Sequence, residues 1–434
     1  MNYNPQAVEL NDAIRSVNPH VFNMLSDKGK AIFFPKKGIL SQSAEAKGSK
    51  INGTIGTALE DNGNPMVLAS LGAQLNLTDN DAFNYAPSPG RPDFRKTWND
   101  MMTKKNPSLK GKTFSQPVVT SALTHGLSMA GYLFVNEGDE IISPDLYWEN
   151  YDLIFSNAYG AALKLFPAFV NNSSFNVDGL KSAIDESKGK KVIVILNFPN
   201  NPTGYTITTD EAAAIKNLLV AAANGGKEIV VIIDDAYFGL VYENGILTES
   251  IFSYLADAHE NILALKLDGP TKEDYVWGFR VGFATFGCAK NSPVLYGALE
   301  SKLGGAIRGN ISNASNLGQT LLNNAYLHAG YDKEKIEKYE MLKRRYSKIK
   351  EIFKAHPHYA DYFKAVPFNS GYFMCVRINT GNAEAVRKTL LEKYSTGTIA
   401  FNDVIRVAFS SVPIDLLEKM FDNIYLAAKE CTGK

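Results

Sequence analysis

Three apolar runs constrain this chain more than any other feature: VIVILNF at 192–198, IVVIID at 229–234 and ILALKLD at 262–268. They are rich in β-branched residues and lack the polar alternation of a half-exposed strand. They therefore read as strands buried on both faces, the pattern of a parallel sheet. Between the first two, Thr208-Thr209-Asp210-Glu211 forms a capping box at the head of an Ala- and Leu-rich helical segment, which Asn224-Gly225-Gly226 ends. Strand, helix, strand makes a βαβ unit, and IISP at 141–144 predicts a shorter strand of the same kind. The fold class expected is α/β, with a large domain over residues 66–340 built on a mostly parallel central sheet. A charged helix over 332–354 and two strand-like runs, 372–378 and 404–409, follow. They predict a smaller α+β domain of residues 341–434, joined by residues 1–65 because chain termini often lie together.

A length of 434 residues suits two such domains. Lys plus Arg and Asp plus Glu number 45 each, so no general charge draws the chain to nucleic acid or to an anionic membrane. Any anion site must be local. Cys288, Cys375 and Cys431 lie far apart without metal-type spacing, which predicts a reducing compartment and no metal site. The polar opening MNYNPQAVELNDAIRSV and the absence of a long apolar stretch predict a cytoplasmic protein. No Gly-x-Gly-x-x-Gly turn follows a strand, which argues against a nicotinamide dehydrogenase.

In an open α/β sheet, ligands bind beyond the carboxyl ends of the strands. The distinctive residues of this chain fall there: the turn NFPNNPTG at 197–204, then Asp234-Asp235-Ala236-Tyr237, then Thr271-Lys272. Singly, each has an ordinary explanation as a turn, a cap or a surface lysine. Another segment, Ser121-Ala122-Leu123-Thr124-His125-Gly126, follows the apolar PVV at 117–119 and opens a helical pattern. The free N–H groups of such a helix start suit a phosphate.

Taken in order, Asn201-Pro202-Thr203-Gly204, Asp234 with Tyr237, Lys272, Arg280-Val281-Gly282 eight residues later, and Arg406 resemble the class I aminotransferases of fold type I. The resemblance covers nearly the whole chain and implies pyridoxal 5'-phosphate as cofactor. It implies that Lys272 carries the cofactor and moves a proton, that Asp234 pairs with its ring nitrogen, and that Tyr237 and Asn201 bond its ring oxygen. Arg280, the Leu123 backbone and the Thr124 hydroxyl would take the phosphate, and Trp148 would stack on the ring. Tyr85 resembles a tyrosine that reaches the phosphate from a neighbouring subunit, which implies a homodimer with shared active sites.

For the substrate, the resemblance places Arg406 at the α-carboxylate, with Arg377 a weaker competitor, and Gly56 and Asn201 beside it. Arg308, in an Arg-x-x-x-Ser-Asn pattern, resembles the arginine that pairs with a distal carboxylate in the aspartate and aromatic branch. The expected reaction moves an amino group between an L-amino acid and a 2-oxo acid, with aspartate or glutamate as one partner. A β-decarboxylase, C–S lyase or synthase of the same fold shares these motifs. A non-catalytic regulator binding the same cofactor would need a DNA-binding segment, for which the chain has no spare length. One departure stands out: in Gly269-Pro270-Thr271-Lys272-Glu273-Asp274 the usual serine is missing and two acids follow the lysine. The two acids are expected either to turn outward or, by raising the pKa of the Schiff base at Lys272, to give an unusual pH optimum.

Overall fold

The computed structural model describes residues 3–33, 38–73 and 77–432. The larger sheet has seven strands: β1 (Val118–Thr120), β2 (Glu140–Pro144), β3 (Ala162–Phe166), β4 (Lys191–Asn197), β5 (Glu228–Asp234), β6 (Ile262–Asp268) and β7 (Gly282–Gly287). Their order across the sheet is β1-β7-β6-β5-β4-β2-β3. All neighbouring pairs are parallel except those of β7, which runs antiparallel to β1 and to β6. The three apolar runs are thus the central strands β4, β5 and β6, as expected.

Burial on both sides explains why these strands lack alternation. Ile193, Ile195, Val230 and Ile232 pack on one face with Leu127 and Ala130 of helix α1 (Ala122–Phe134). Val192, Val194, Val231 and Ile233 pack on the other with Ile215 and Leu219 of helix α2 (Thr209–Asn224). The Thr208 capping box is formed, its hydroxyl accepting from the Glu211 N–H while the Glu211 carboxylate accepts from the Thr208 N–H. Gly225 caps the far end, and Gly226 turns the chain away.

Beyond β7, the long helix α3 (Tyr331–Ala355) leads into a four-stranded antiparallel sheet of β8 (Phe363–Ala365), β9 (Phe373–Ile378), β10 (Ile399–Phe401) and β11 (Val404–Ala408), in the order β8-β9-β11-β10. Residues from the amino-terminal part pack beside this sheet, where they form a separate two-stranded sheet. Ile51–Asn52 pairs in parallel with Thr396–Gly397, and the Gln42 amide exchanges hydrogen bonds of 2.8 and 2.6 Å with the Ala400 backbone. Further upstream, the Lys28 ammonium lies 5.3 Å from the Tyr159 ring, beside the larger sheet. Among the described residues, no helix is long and apolar enough to cross a membrane.

The two sheets meet at the turn after β4. The Gly204 carbonyl accepts the N–H groups of Asn369 and Ser370, each at 2.9 Å. Gly204 has a φ of +72°, and a Cβ there would lie 1.9 Å from the Phe373 carbonyl oxygen. The glycine of this motif is therefore needed for the seam itself. Gly204→Ala is expected to lower the unfolding free energy by more than about 3 kcal/mol, since backbone strain and a backbone clash combine. Denaturant titration checks this, and a loss under about 1 kcal/mol would show that the seam opens easily.

Candidate active site

A cavity of about 490 Å³ opens at the carboxyl ends of β4, β5 and β6, bounded on its other side by β9 and β11. Asn197 and Asp234 are direct neighbours in the sheet register, so these two strand ends set the cavity floor. Asp234 is 3% exposed. Its Oδ2 accepts a 2.6 Å hydrogen bond from Tyr151, and its Oδ1 accepts the Ala236 N–H at 3.2 Å. Burial pushes the Asp234 carboxyl up. The Tyr151 hydroxyl, the Ala236 N–H and the Lys272 amine pull it back. The Asn197 amide donates to the Asp234 carbonyl at 2.7 Å, and its oxygen accepts the Asn201 N–H at 2.7 Å. The first strand end thereby holds the Asn201 turn against the second.

Lys272 follows β6 in the four-residue helix Pro270–Glu273, and its amine lies 5.6 Å from the centre of the Tyr237 ring. Burial, then repulsion from Arg280, lowers the amine to about 8, with Asp234 opposing. A lysine held there is partly neutral near physiological pH and so is a competent nucleophile. Its backbone is fixed as well, because the Tyr372 hydroxyl donates to the Lys272 carbonyl at 2.6 Å. Next to it, the Thr271 hydroxyl also lines the cavity and is buried with no partner among the described residues.

The phosphate-like end is built from two backbone devices. Ala122 opens α1 with a φ of +63°, and Ser121 makes no capping side-chain bond, so the first N–H groups stay available beside Leu123 and Thr124. Arg280 also has positive φ, +53°, and its side chain lines the cavity. Gly282 explains their proximity: a Cβ there would lie 2.8 Å from the Ala122 backbone. Without a side chain, the start of β7 presses against the start of α1, so the guanidinium and the helix N-terminus share one corner.

Across the cavity stands Arg406 on β11. It is buried, its guanidinium 4.4 Å from the centre of the Phe373 ring. Its hydrogen bonds are long, 3.3 Å to Asn201 Oδ1 and 3.4 Å to the Thr54 carbonyl, and its Nε has no partner. Among the described residues no carboxylate is within ion-pair distance of it. A buried guanidinium without a charged partner costs several kcal/mol, a cost that an anion in the cavity would offset. Gly56 and Trp148 line the same space. Arg377, the competitor, is instead exposed and paired with Asp403.

Tyr85 and Arg308 are not brought to the cavity of their own chain. Tyr85 is 90% exposed, and Arg308 is exposed with a 2.8 Å bond to Ser312. The expectation for the two acids after Lys272 needs correction. Glu273 and Asp274 turn neither outward nor toward the lysine amine. Both are buried on ion pairs with lysines. The residues that sequence reasoning missed are Tyr151, Asn197 and Tyr372. Tyr151 lies three residues after Trp148, but only the fold shows that its hydroxyl reaches Asp234.

A family profile described as aminotransferase class I and II matches residues 49–424. The chain belongs to the class I and II aminotransferases. This family depends on pyridoxal phosphate. The chain is similar to the aspartate aminotransferase of Bacillus sp. (strain YM-2), 28% identical over 202 residues, covering 46% of this chain and 48% of that protein. It is similar as well to the probable N-acetyl-LL-diaminopimelate aminotransferase of Bacillus subtilis (strain 168), 26% identical over 206 residues, 47% of this chain and 48% of that one. These matches span about half the length of those relatives. Among solved structures, an aminotransferase from Anaerococcus prevotii DSM 20548 superposes with a TM-score of 0.83 at 25% identity, covering 93% of this chain and 99% of that chain.

The hydroxyl of Tyr151 gives this aminotransferase fold a measurable internal bond. Tyr151→Phe is expected to cost about 1.5–3 kcal/mol, the range for a hydrogen bond to a charged group. Denaturant unfolding at neutral pH measures it, and an unchanged midpoint would mean that the hydroxyl contributes nothing to holding Asp234.

Proposed function

We propose that this chain is a pyridoxal-phosphate-dependent aminotransferase acting between an L-amino acid and a 2-oxo acid, with a dicarboxylate such as aspartate or glutamate as one substrate. The observation that carries this reading is the convergence of Lys272, Asp234 and a charge-unpaired Arg406 on one buried cavity. The cavity fits the cofactor. It offers a depressed amine for covalent attachment, a buried carboxylate on the same floor, and a helix N-terminus with an arginine at one corner.

In this reading Lys272 holds the cofactor and moves a proton from the substrate Cα. Asp234, whose carboxyl burial pushes up, is stabilised in its charged form by a cation set against it, as a protonated ring nitrogen would be. Tyr237 and Asn201 bond the ring oxygen, and Trp148 covers the ring. Arg280, the Leu123 N–H and the Thr124 hydroxyl bind the phosphate. When bound, the cofactor supplies an electron sink for the carbanion formed at the substrate Cα. Arg406 binds the α-carboxylate in a fork, oriented by Asn201 and by its stacking on Phe373, with Gly56 leaving room beside it.

Tyr85 and Arg308 are proposed to serve the cavity of a second copy, which makes the working form a homodimer. Their exposure, away from the cavity of their own chain, supports this. The relatives named aspartate aminotransferase support the dicarboxylate. The three unpaired cysteines suit the cytoplasm.

Lys272→Ala is expected to lose both the absorbance band of the bound cofactor and all amino transfer; an unchanged band would refute the assignment. Adding glutamate to the loaded protein should convert the cofactor to its amine form with one equivalent of 2-oxoglutarate released. Ammonia or pyruvate release without amine transfer would place the chain with the lyases instead. Arg308→Ala should lower kcat/KM for dicarboxylates by about 10- to 100-fold, the equivalent of one or two charged hydrogen bonds, and spare neutral amino acids. Equal losses on both classes would remove Arg308 from substrate selection.

A further inference from the structure

The two acids that follow Lys272 have no part in the site described so far, yet they are among the most buried charges of the chain. Glu273 is 4% exposed and Asp274 0%. Neither lines the cavity. Both Glu273 oxygens accept from the Lys105 amine at 3.0 Å, and one accepts from Lys335 at 2.6 Å. Asp274 accepts from Lys335 at 2.9 Å, from the Tyr331 hydroxyl at 2.7 Å and from the Tyr326 hydroxyl at 3.0 Å. Two carboxylates thus meet two ammonium groups, and none of these hydrogen bonds is made to Lys272. Burial alone would raise Glu273, but Lys105 and Lys335 outweigh it and hold its carboxyl down at about 2.

We infer that Lys335 and Lys105 are positioning residues for Lys272: they anchor the turn that carries it and neutralise Glu273 and Asp274, leaving the Lys272 amine free to react. The inference rests on the reading of Lys272 as the cofactor lysine. The groups that face that amine are Asp234 on β5, Tyr237 in the turn after it, Arg280 in the turn before β7 and, across the cavity, Arg406 on β11. The net effect of these neighbours and of burial is a lowered pKa, while the charge of the adjoining acids is taken up by the ion pairs with Lys105 and Lys335. Unpaired acids one and two residues away would reverse that balance, because a buried carboxylate stabilises a nearby ammonium. The anchor also has reach. Lys105 is the last residue of the helix Pro92–Lys105, and its ammonium lies 5.2 Å from the Trp98 ring. Lys335 lies near the start of α3, which leads to the sheet holding Arg406. The lysine turn is thereby tied to two helices by charge.

The test uses cofactor-free full-length protein and follows its capture of pyridoxal phosphate by absorbance across pH, with the thermal unfolding midpoint measured in parallel. Capture by the unsubstituted protein should rise as pH passes through about 8, where the amine loses its proton. Lys335→Met should move that midpoint up and slow capture at neutral pH by about tenfold, the change that one pH unit brings to the neutral fraction. Lys335→Arg should restore it. Glu273→Gln should move the midpoint the opposite way, and the double variant Glu273→Gln with Lys335→Met should return it close to the original value even where the unfolding midpoint stays low. If the lysine variant does not fold, the opposite shift in Glu273→Gln decides alone. Variants that lose thermal stability while keeping the original capture midpoint would overturn the inference and leave the Lys272 assignment intact. Capture by Lys272→Ala equal to that of the unsubstituted protein would overturn the assignment and the inference together.

Discussion

A carboxylate at the end of a central strand, shut off from water, is costly to keep charged, and Asp234 is in that position. The surroundings answer to this cost. Tyr151 and the Ala236 N–H supply hydrogen bonds, and Lys272 supplies opposite charge. Asn197, one strand over, uses its amide to link the Asp234 backbone to Asn201. The cavity floor is therefore a network in which Asp234 and Asn197 are held by fixed hydrogen bonds before any ligand arrives. Preorganisation of this kind costs no rearrangement when charge develops on a bound molecule.

Beneath the floor, a second set of buried charges supports the same strands. Lys266 is 0% exposed and sits between Asp235, at 3.0 Å, and Asp268, which also accepts from the Trp98 indole. With the Glu273–Asp274 anchor, this places three lysines and four acids under the residues that line the cavity. Such ion pairs contribute little net stability compared with apolar packing, but removing one partner leaves a buried charge alone. Their effect is to make the strand ends intolerant of displacement.

Much of this was legible in the sequence because it depends on local pattern. The doubly buried strands β4, β5 and β6, the Thr208 capping box and the glycine stop were all readable from periodicity and turn chemistry. The cofactor lysine candidate was readable from its place after a strand and its spacing to Arg280. What was not legible depends on contacts between distant residues. Nothing near Glu273 announces Lys105 or Lys335, which come from other helices, so the acids were expected to act on Lys272. Tyr151 carries no motif, and its role depends on a helical turn that brings its hydroxyl across to β5. Tyr85 and Arg308 illustrate a different limit, since one chain alone brings neither to its cavity.

The seam at Gly204 has a mechanical consequence. Backbone is bonded directly to backbone there, and the Tyr242 N–H to the Asn369 carbonyl and the Gly371 N–H to the Leu240 carbonyl add further bonds across the same junction. Asn201 lies three residues from it and is joined to Arg406 by its own hydrogen bond. The guanidinium on the second sheet is thus located against the first through the same few residues that join the two.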